Sequence, residues 1–186
     1  MSGVFRIISV AGAHSGVGKT TLCSLLLREL RDYGAIKFTK EAFGTPLIDS
    51  EEIILQKGKD TAIMVSSGAK KVILIGGQGE TLRDALERAI GMMRPFRGVI
   101  IEGNGPIEFL RPDLLIFVIG PDRKIKAPAM GILERADIVV VNSEGGERDT
   151  SLMDRLRTGA RIFFVDLKNK GQETEALLSC IKEAIV

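Results

Sequence analysis

The chain has 186 residues, enough for one α/β domain with a sheet buried on both sides and short of a second domain of ordinary size, so 1–186 reads as a single domain. Its 26 basic and 24 acidic residues leave a formal net charge of +2, which excludes a global electrostatic attraction to nucleic acid or to an anionic membrane; any anion must be bound locally. Cys23 and Cys180, with no C-x-x-C pair and no His/Cys tract, exclude a disulfide framework and a zinc site of ordinary spacing, and they fit a reducing, cytoplasmic setting.

The first apolar run, Val4 to Ala11, is too short to span a membrane and lacks the basic flank and small-residue cleavage site of a signal peptide, so it reads as structure. Strand-like runs follow in order: Phe5–Gly12, Ala35–Thr39, Lys71–Gly77, Gly98–Gly103, Leu114–Gly120, Asp137–Asn142 and Arg161–Asp166. They are short, rich in Ile and Val, and continuously apolar, the pattern of a parallel sheet with helices on both faces. A doubly wound, mostly parallel α/β sheet is the predicted fold. Helical spacing of apolar residues marks Thr20–Asp32, Glu80–Met93 and Glu173–Ile185, with shorter stretches at Lys59–Ser67, Ala127–Arg135 and Ser151–Arg157. Gly34 falls where the first helix wants a C-cap, and Glu41 to Gly58 reads as an irregular loop long enough to be functional.

Between the first strand and the first helix lies AHSGVGKT, Ala13 to Thr20. It meets the phosphate-binding pattern G-x-x-x-x-G-K-[ST] except that Ala13 replaces the first glycine, with Gly12 just before it. Gly16 and Gly18 let the backbone curl so that the amides of Ser15, Gly16, Val17, Gly18, Lys19, Thr20 and Thr21 face inward at a helix N-terminus, a nest for the phosphates of a nucleoside triphosphate. In this pattern Lys19 reaches the β- and γ-phosphates and the Thr20 hydroxyl ligates Mg²⁺. His14, the only histidine, reads as a bystander on the loop.

A phosphate loop needs a carboxylate to organise the magnesium. Glu102 ends a buried strand at the edge where open α/β sheets bind ligands, and it is the favoured magnesium or water-ordering group beside Thr20 and Lys19. Asp49, in the long loop after the second strand, is a further metal candidate of the mobile-switch kind. Asp113 reads as a turn cap, and Asp166 ends a strand far along the sheet.

Several stretches taken together resemble one family of P-loop NTPases. The loop GAHSGVGKTTL, the GAIK at Gly34–Lys37, the GKDT that precedes SSGAKKVILI within Gly58–Ile75, and the IEG at Ile101–Gly103 look like the molybdopterin-guanine dinucleotide biosynthesis adaptor (MobB-type) family. That family is similar in fold to the signal-recognition, Min and BioD class, which includes metallochaperone GTPases and dethiobiotin synthetase. The resemblance covers roughly the first 105 residues. It implies GTP bound with Mg²⁺, hydrolysis that is slow at best, a molybdopterin guanylyltransferase as partner enzyme, and a homodimer as in the wider class.

The chain departs from the family's pattern at Phe38-Thr39-Lys40, where a histidine-bearing run is usual, and at Ile63, where an arginine is. Further on, Asn142 occupies the asparagine position of the guanine-reading N-K-x-D, but Ser143 stands for the lysine and Gly145 for the aspartate, with Glu144 and Glu147 nearby. The missing aspartate removes the acceptor for the guanine N1–H and N2–H₂, so GTP and ATP both remain open. Two functions fit. One is a nucleotide-dependent helper of a partner enzyme; the other is a small-molecule kinase or ATP-dependent ligase of the dethiobiotin-synthetase type, with Lys37, Lys40 and the loop from Glu41 to Gly58 holding the acceptor. A metallochaperone GTPase fits less well, because a single histidine and no cysteine pair offer little for a metal cargo.

Overall fold

The computed structural model describes residues 4–40, 45–143, 159–169 and 171–185. The expected Ser151–Arg157 helix, and Glu144, Gly145 and Glu147, lie outside the described residues, as does the start of the loop after the second strand.

Every apolar run of the sequence becomes a strand: β1 (Arg6–Gly12), β2 (Tyr33–Thr39), β4 (Val72–Gly76), β5 (Gly98–Glu102), β6 (Leu114–Ile119), β7 (Ile138–Asn142) and β8 (Arg161–Val165). The eighth strand, β3 (Leu47–Ile48), is a two-residue piece inside the stretch expected to be irregular, where a short helix α2 (Glu51–Ile54) also forms. The sheet order is β3-β4-β2-β5-β1-β6-β7-β8, and all pairings are parallel except β3 with β4. β1 therefore lies in the middle, between β5 and β6, with both of its edges bonded.

Helices α1 (Lys19–Glu29), α3 (Asp60–Ser66), α4 (Gly79–Met93), α5 (Met130–Leu133) and α6 (Gln172–Ala184) complete the framework. α4 covers one face, where Leu82, Leu86, Ala89 and Met93 pack on Ile36, Ile73, Ile75, Val99 and Ile101. The larger cluster holds Leu22 and Leu26 of α1 with Ile8, Val10 and Ile100, together with the buried residues of β6 and β7. β5 and β6 are buried throughout, the reason their sequences show no polar alternation. No helix among the described residues is long and apolar enough to cross a membrane.

The first helix ends earlier than its apolar spacing suggests. α1 stops at Glu29, and Asp32 takes the left-handed turn at φ 66, a conformation its short polar side chain tolerates. Gly34 is consequently not a cap but a residue of β2, paired with Val99. Asp113, expected to cap a turn, instead reaches across to β1, accepting the Ile7 amide at 2.7 Å and meeting the Arg6 guanidinium at 3.2 Å, which fixes the amino end of that strand.

Gly98 carries a second constraint on this end of the sheet, since it pairs with Arg6 of β1 and Tyr33 of β2 at once. A Cβ there would lie 2.5 Å from both the Arg6 carbonyl oxygen and the Tyr33 ring. Gly98→Ala is expected to force these strands apart and lower the unfolding free energy by about 1–3 kcal/mol, read by chemical denaturation; an unchanged midpoint would show that both the ring and the Arg6 backbone give way at no cost.

Candidate functional site

The carboxyl ends of β1, β2, β5, β6 and β7 bring together the phosphate loop, Lys19, Thr20, Lys37, Glu102 and Asn142, but not Asp49. β1 leads into the loop from Ala13 to Gly18, and α1 begins at Lys19. Gly16 and Gly18 adopt φ 79 and φ 107, left-handed values that an ordinary side chain resists and that an anion-binding curl of the backbone uses. Ala13 is accommodated at 1 % exposure. Gly12 and Gly18 are also crowded: a Cβ would meet Val17 Cγ2 at 2.8 Å at the first and Asn142 Nδ2 at 2.8 Å at the second. The Asn104 side chain grips the first of these glycines twice, its Oδ1 accepting from Gly12 N and its Nδ2 donating to Gly12 O, both at 2.9 Å.

Lys19 curls back over the loop and donates from Nζ to the His14 carbonyl at 2.8 Å. Burial pulls its pKa below the ordinary lysine value, an effect that Glu102 partly offsets and Lys37 reinforces. Thr20 Oγ1 donates to Glu102 Oε2 at 3.0 Å, while the other oxygen of Glu102 meets Lys37 Nζ at 2.5 Å. Glu102 is 1 % exposed, so both its oxygens are satisfied inside the protein. Lys37 also pairs with Asp60 at 2.6 Å, at the first residue of α3. For Lys37 burial acts to lower the pKa, but Glu102 and Asp60 together outweigh it and hold the amine above its usual value.

The metal candidates separate. Thr20 and Glu102 are in contact, whereas the Asp49 carboxylate pairs with Lys71 at 3.0 Å. β3 runs antiparallel to β4, so Asp49 heads toward the amino end of the sheet, away from the phosphate loop. The carboxylate found beside Lys37 and Glu102 is Asp60, from the same GKDT stretch that carries the family resemblance.

On the opposite side of the loop, Asn142 Nδ2 donates to Val17 O at 3.1 Å and its Oδ1 accepts from Leu167 N at 3.2 Å. The asparagine thus ties the phosphate loop to the turn after β8, and among the described residues one of its amide hydrogens has no partner. Ser143 is buried, and its hydroxyl has no hydrogen-bond partner among the described residues. The turn after β6 also closes on the loop. His14 Nε2 lies 3.0 Å from Asp122 Oδ1 and His14 Nδ1 2.7 Å from Ser15 O. The His14 hydrogen bond is the main reason the Asp122 carboxyl sits below its usual pKa. Among the described residues no group of three His, Cys, Asp or Glu side chains converges as a metal site would require.

Sequence reasoning missed Asp60, Asn104 and Asp122 beside this site, and Arg123, whose guanidinium comes within 3.5 Å of the Asn142 carbonyl. Asp60 and Asn104 adjoin motifs already read, in GKDT and after IEG. Asp122 and Arg123 follow a strand whose carboxyl end neighbours β1, a placement that only the sheet order reveals.

No family model and no curated protein sequence matches the chain. Solved structures do. HypB from Helicobacter pylori, determined in complex with nickel, is 15 % identical over 96 % of this chain and 86 % of its own, with a TM-score of 0.61. A zinc-bound triple mutant of the YjiA GTPase is 17 % identical over 91 % of this chain and 62 % of its own, with a TM-score of 0.50. The MinC:MinD cell division complex of Aquifex aeolicus is 16 % identical over 84 % and 79 %, with a TM-score of 0.48. The chain has the fold of the P-loop NTPases, a mostly parallel eight-stranded sheet flanked by helices. Within that class the likeness is one of fold alone.

The buried Lys37–Glu102 pair joins β2 to β5, and removing one member strands the other. Lys37→Met is expected to lower stability by about 3–5 kcal/mol at neutral pH. Because the folded-state pKa of Lys37 is raised, its contribution is complete below the ordinary lysine value and is lost as pH climbs through the raised one. Thermal melts at increasing alkalinity should show that decline in the wild type and a shallower one in the variant; equal melting temperatures at neutral pH would show the pair to be dispensable.

Proposed function

We propose that the chain binds a nucleoside triphosphate with Mg²⁺, hydrolyses it slowly, and acts as a nucleotide-dependent helper in molybdopterin-guanine dinucleotide assembly. The observation that carries the nucleotide reading is the meeting of Lys19, Thr20 and Glu102 at the start of α1, beside a loop whose glycines hold the left-handed angles that an anion-binding curl uses. The donor set suits the metal: a hydroxyl and a carboxylate are hard oxygens, and Mg²⁺ takes one or two carboxylates together with substrate phosphates. Thr20 and Glu102 would hold the ion, which when bound neutralises negative charge on the phosphate oxygens. Lys19 would exchange the His14 carbonyl for a phosphate oxygen, a charge-assisted bond and so a stronger one.

Slow turnover fits the same geometry. A general base must lie within reach of the attacking water, and each Glu102 oxygen is already engaged, one by Thr20 and the other by Lys37, so a water would have to share an oxygen with these partners. The molybdopterin step rests on the resemblance of the phosphate loop and of the G-A-I-K, G-K-D-T and E-G stretches. A kinase or ligase is the second reading, favoured by the Lys37 amine, 16 % exposed at the Glu102 end of the site, where an acceptor would face the terminal phosphate. Faster phosphate release on adding a small acceptor marks that reading; slow turnover until a partner protein arrives marks the helper.

Calorimetric titration with triphosphates tests the proposal. Lys19→Ala should weaken triphosphate binding more than monophosphate binding, because the backbone nest survives the loss of the cation. Glu102→Gln should weaken the magnesium-dependent part of the affinity while the protein stays folded. Unchanged triphosphate affinity in Lys19→Ala would overturn the assignment.

Base choice is tested by competition between the two triphosphates. With Gly145 in place of the aspartate, GTP should be preferred over ATP by less than about tenfold, the worth of one good hydrogen-bond pair. A preference of about a thousandfold would require an acceptor that replaces the aspartate, with Glu144→Ala as the variant to examine.

A further inference from the structure

If the chain binds a nucleoside triphosphate as proposed above, its site has a direction. Glu102, Lys37 and Asp60 gather on the side of the phosphate loop formed by β5 and β2, the end for magnesium and the terminal phosphate. The nucleoside then extends the other way, over β6, β7 and β8. On that side the chain holds a residue in a conformation it does not favour. Arg123, in the turn after β6, has φ 55, a left-handed value seen mostly in Gly, Asn and Asp.

The turn is pinned from several directions. Arg123 N donates to Gly120 O at 3.1 Å, Lys126 N donates to Ala13 O at 3.3 Å, and the Asp122 carboxylate meets the His14 ring at 3.0 Å. These contacts bind the turn to the phosphate loop and hold the strained residue between them. Its side chain crosses to the next strand, where NH1 comes within 3.5 Å of the Asn142 carbonyl oxygen. A cavity of about 560 Å³ is lined by His14 and the segment from Asp122 to Lys126, Arg123 included. Asn142 is the residue whose amide has one hydrogen without a partner among the described residues.

The geometry points to Arg123 as the residue that receives the face of the nucleotide base, its guanidinium plane stacking on the ring while Asn142 meets the ring's edge. A guanidinium is flat, weakly hydrated and always charged, which suits stacking on an aromatic face. Stacking reads the π-surface and not the pattern of donors and acceptors, so the contact serves adenine and guanine alike. It supplies nucleoside affinity in a chain that has Ser143 and Gly145 where the guanine-reading pattern has lysine and aspartate.

Arg123→Gly is the informative variant, because glycine adopts φ 55 without strain and the turn keeps its backbone bonds. Its melting temperature should be no lower than that of the wild type. Calorimetric titrations with Mg-GTP, Mg-ATP and inorganic tripolyphosphate separate the contributions. We expect both nucleotides to bind roughly three- to thirtyfold more weakly to the variant and tripolyphosphate to bind equally to both proteins. An equal loss for tripolyphosphate would make Arg123 a phosphate contact, and no loss for either nucleotide would remove it from the site; each result overturns the inference while leaving the triphosphate reading intact. A wild-type protein that binds none of the probes overturns that reading and the inference with it.

Discussion

One buried carboxylate organises the molecule. Glu102 sits at the end of β5 with a lysine from β2 on one oxygen and a threonine from α1 on the other. An ionised carboxylate at this depth survives only when its lone pairs are met, and the groups that meet it come from separate elements. Asp60 then completes the line by holding Lys37 from α3. The ends of two strands and the starts of two helices are thereby set around a single charge. The arrangement is internally compensated: two lysines, Lys19 and Lys37, stand among two carboxylates, and the opposed shifts of the two amines record which of them has close partners.

The surrounding sheet makes that compensation possible. With β1 between β5 and β6 and helices on both faces, the strand bodies are dry and, apart from the polar Ser9 in the middle of β1, the charged groups of the site stand toward the strand ends. Parallel pairing puts every carboxyl end but that of β3 on one edge, so loops distant in sequence become neighbours there. Gly12 and Asn104, or Val17 and Asn142, meet for this reason alone. Nothing in their local sequence announces the contact.

That division explains what could be read in advance. The strands were legible because continuous Ile and Val runs have no other stable place than a covered parallel sheet, as β4 through β7 show. α1 was legible except at its end, where Asp32 took the left-handed position that the pattern gave to Gly34. β3 and α2 were not, since two edge residues and a single helical turn leave no periodicity to detect. In the candidate site, Lys19, Thr20 and Glu102 were found because a spacing rule links loop, helix and strand end. Asp49 and Asp60 could not be told apart from sequence: both are acidic residues of the same connection, and only the antiparallel turn of β3 sends the first to the far edge. Arg123 lay beyond any pattern, because its role depends on a backbone angle and on the strand beside it.

The double bond between Asn104 and Gly12 has a mechanical consequence. A side-chain amide that both donates to and accepts from one residue's main chain imitates the rung of a sheet, so the β1–β5 pairing is in effect prolonged one step into the loops. The segment carrying Glu102 and the entrance of the phosphate loop are accordingly geared together. Shifting one without the other would leave a donor and an acceptor of Gly12 unmatched in a buried setting, at about 1–3 kcal/mol for each. A displacement felt at Glu102 is therefore delivered to the first residue of the loop, two strand ends moving as one lever.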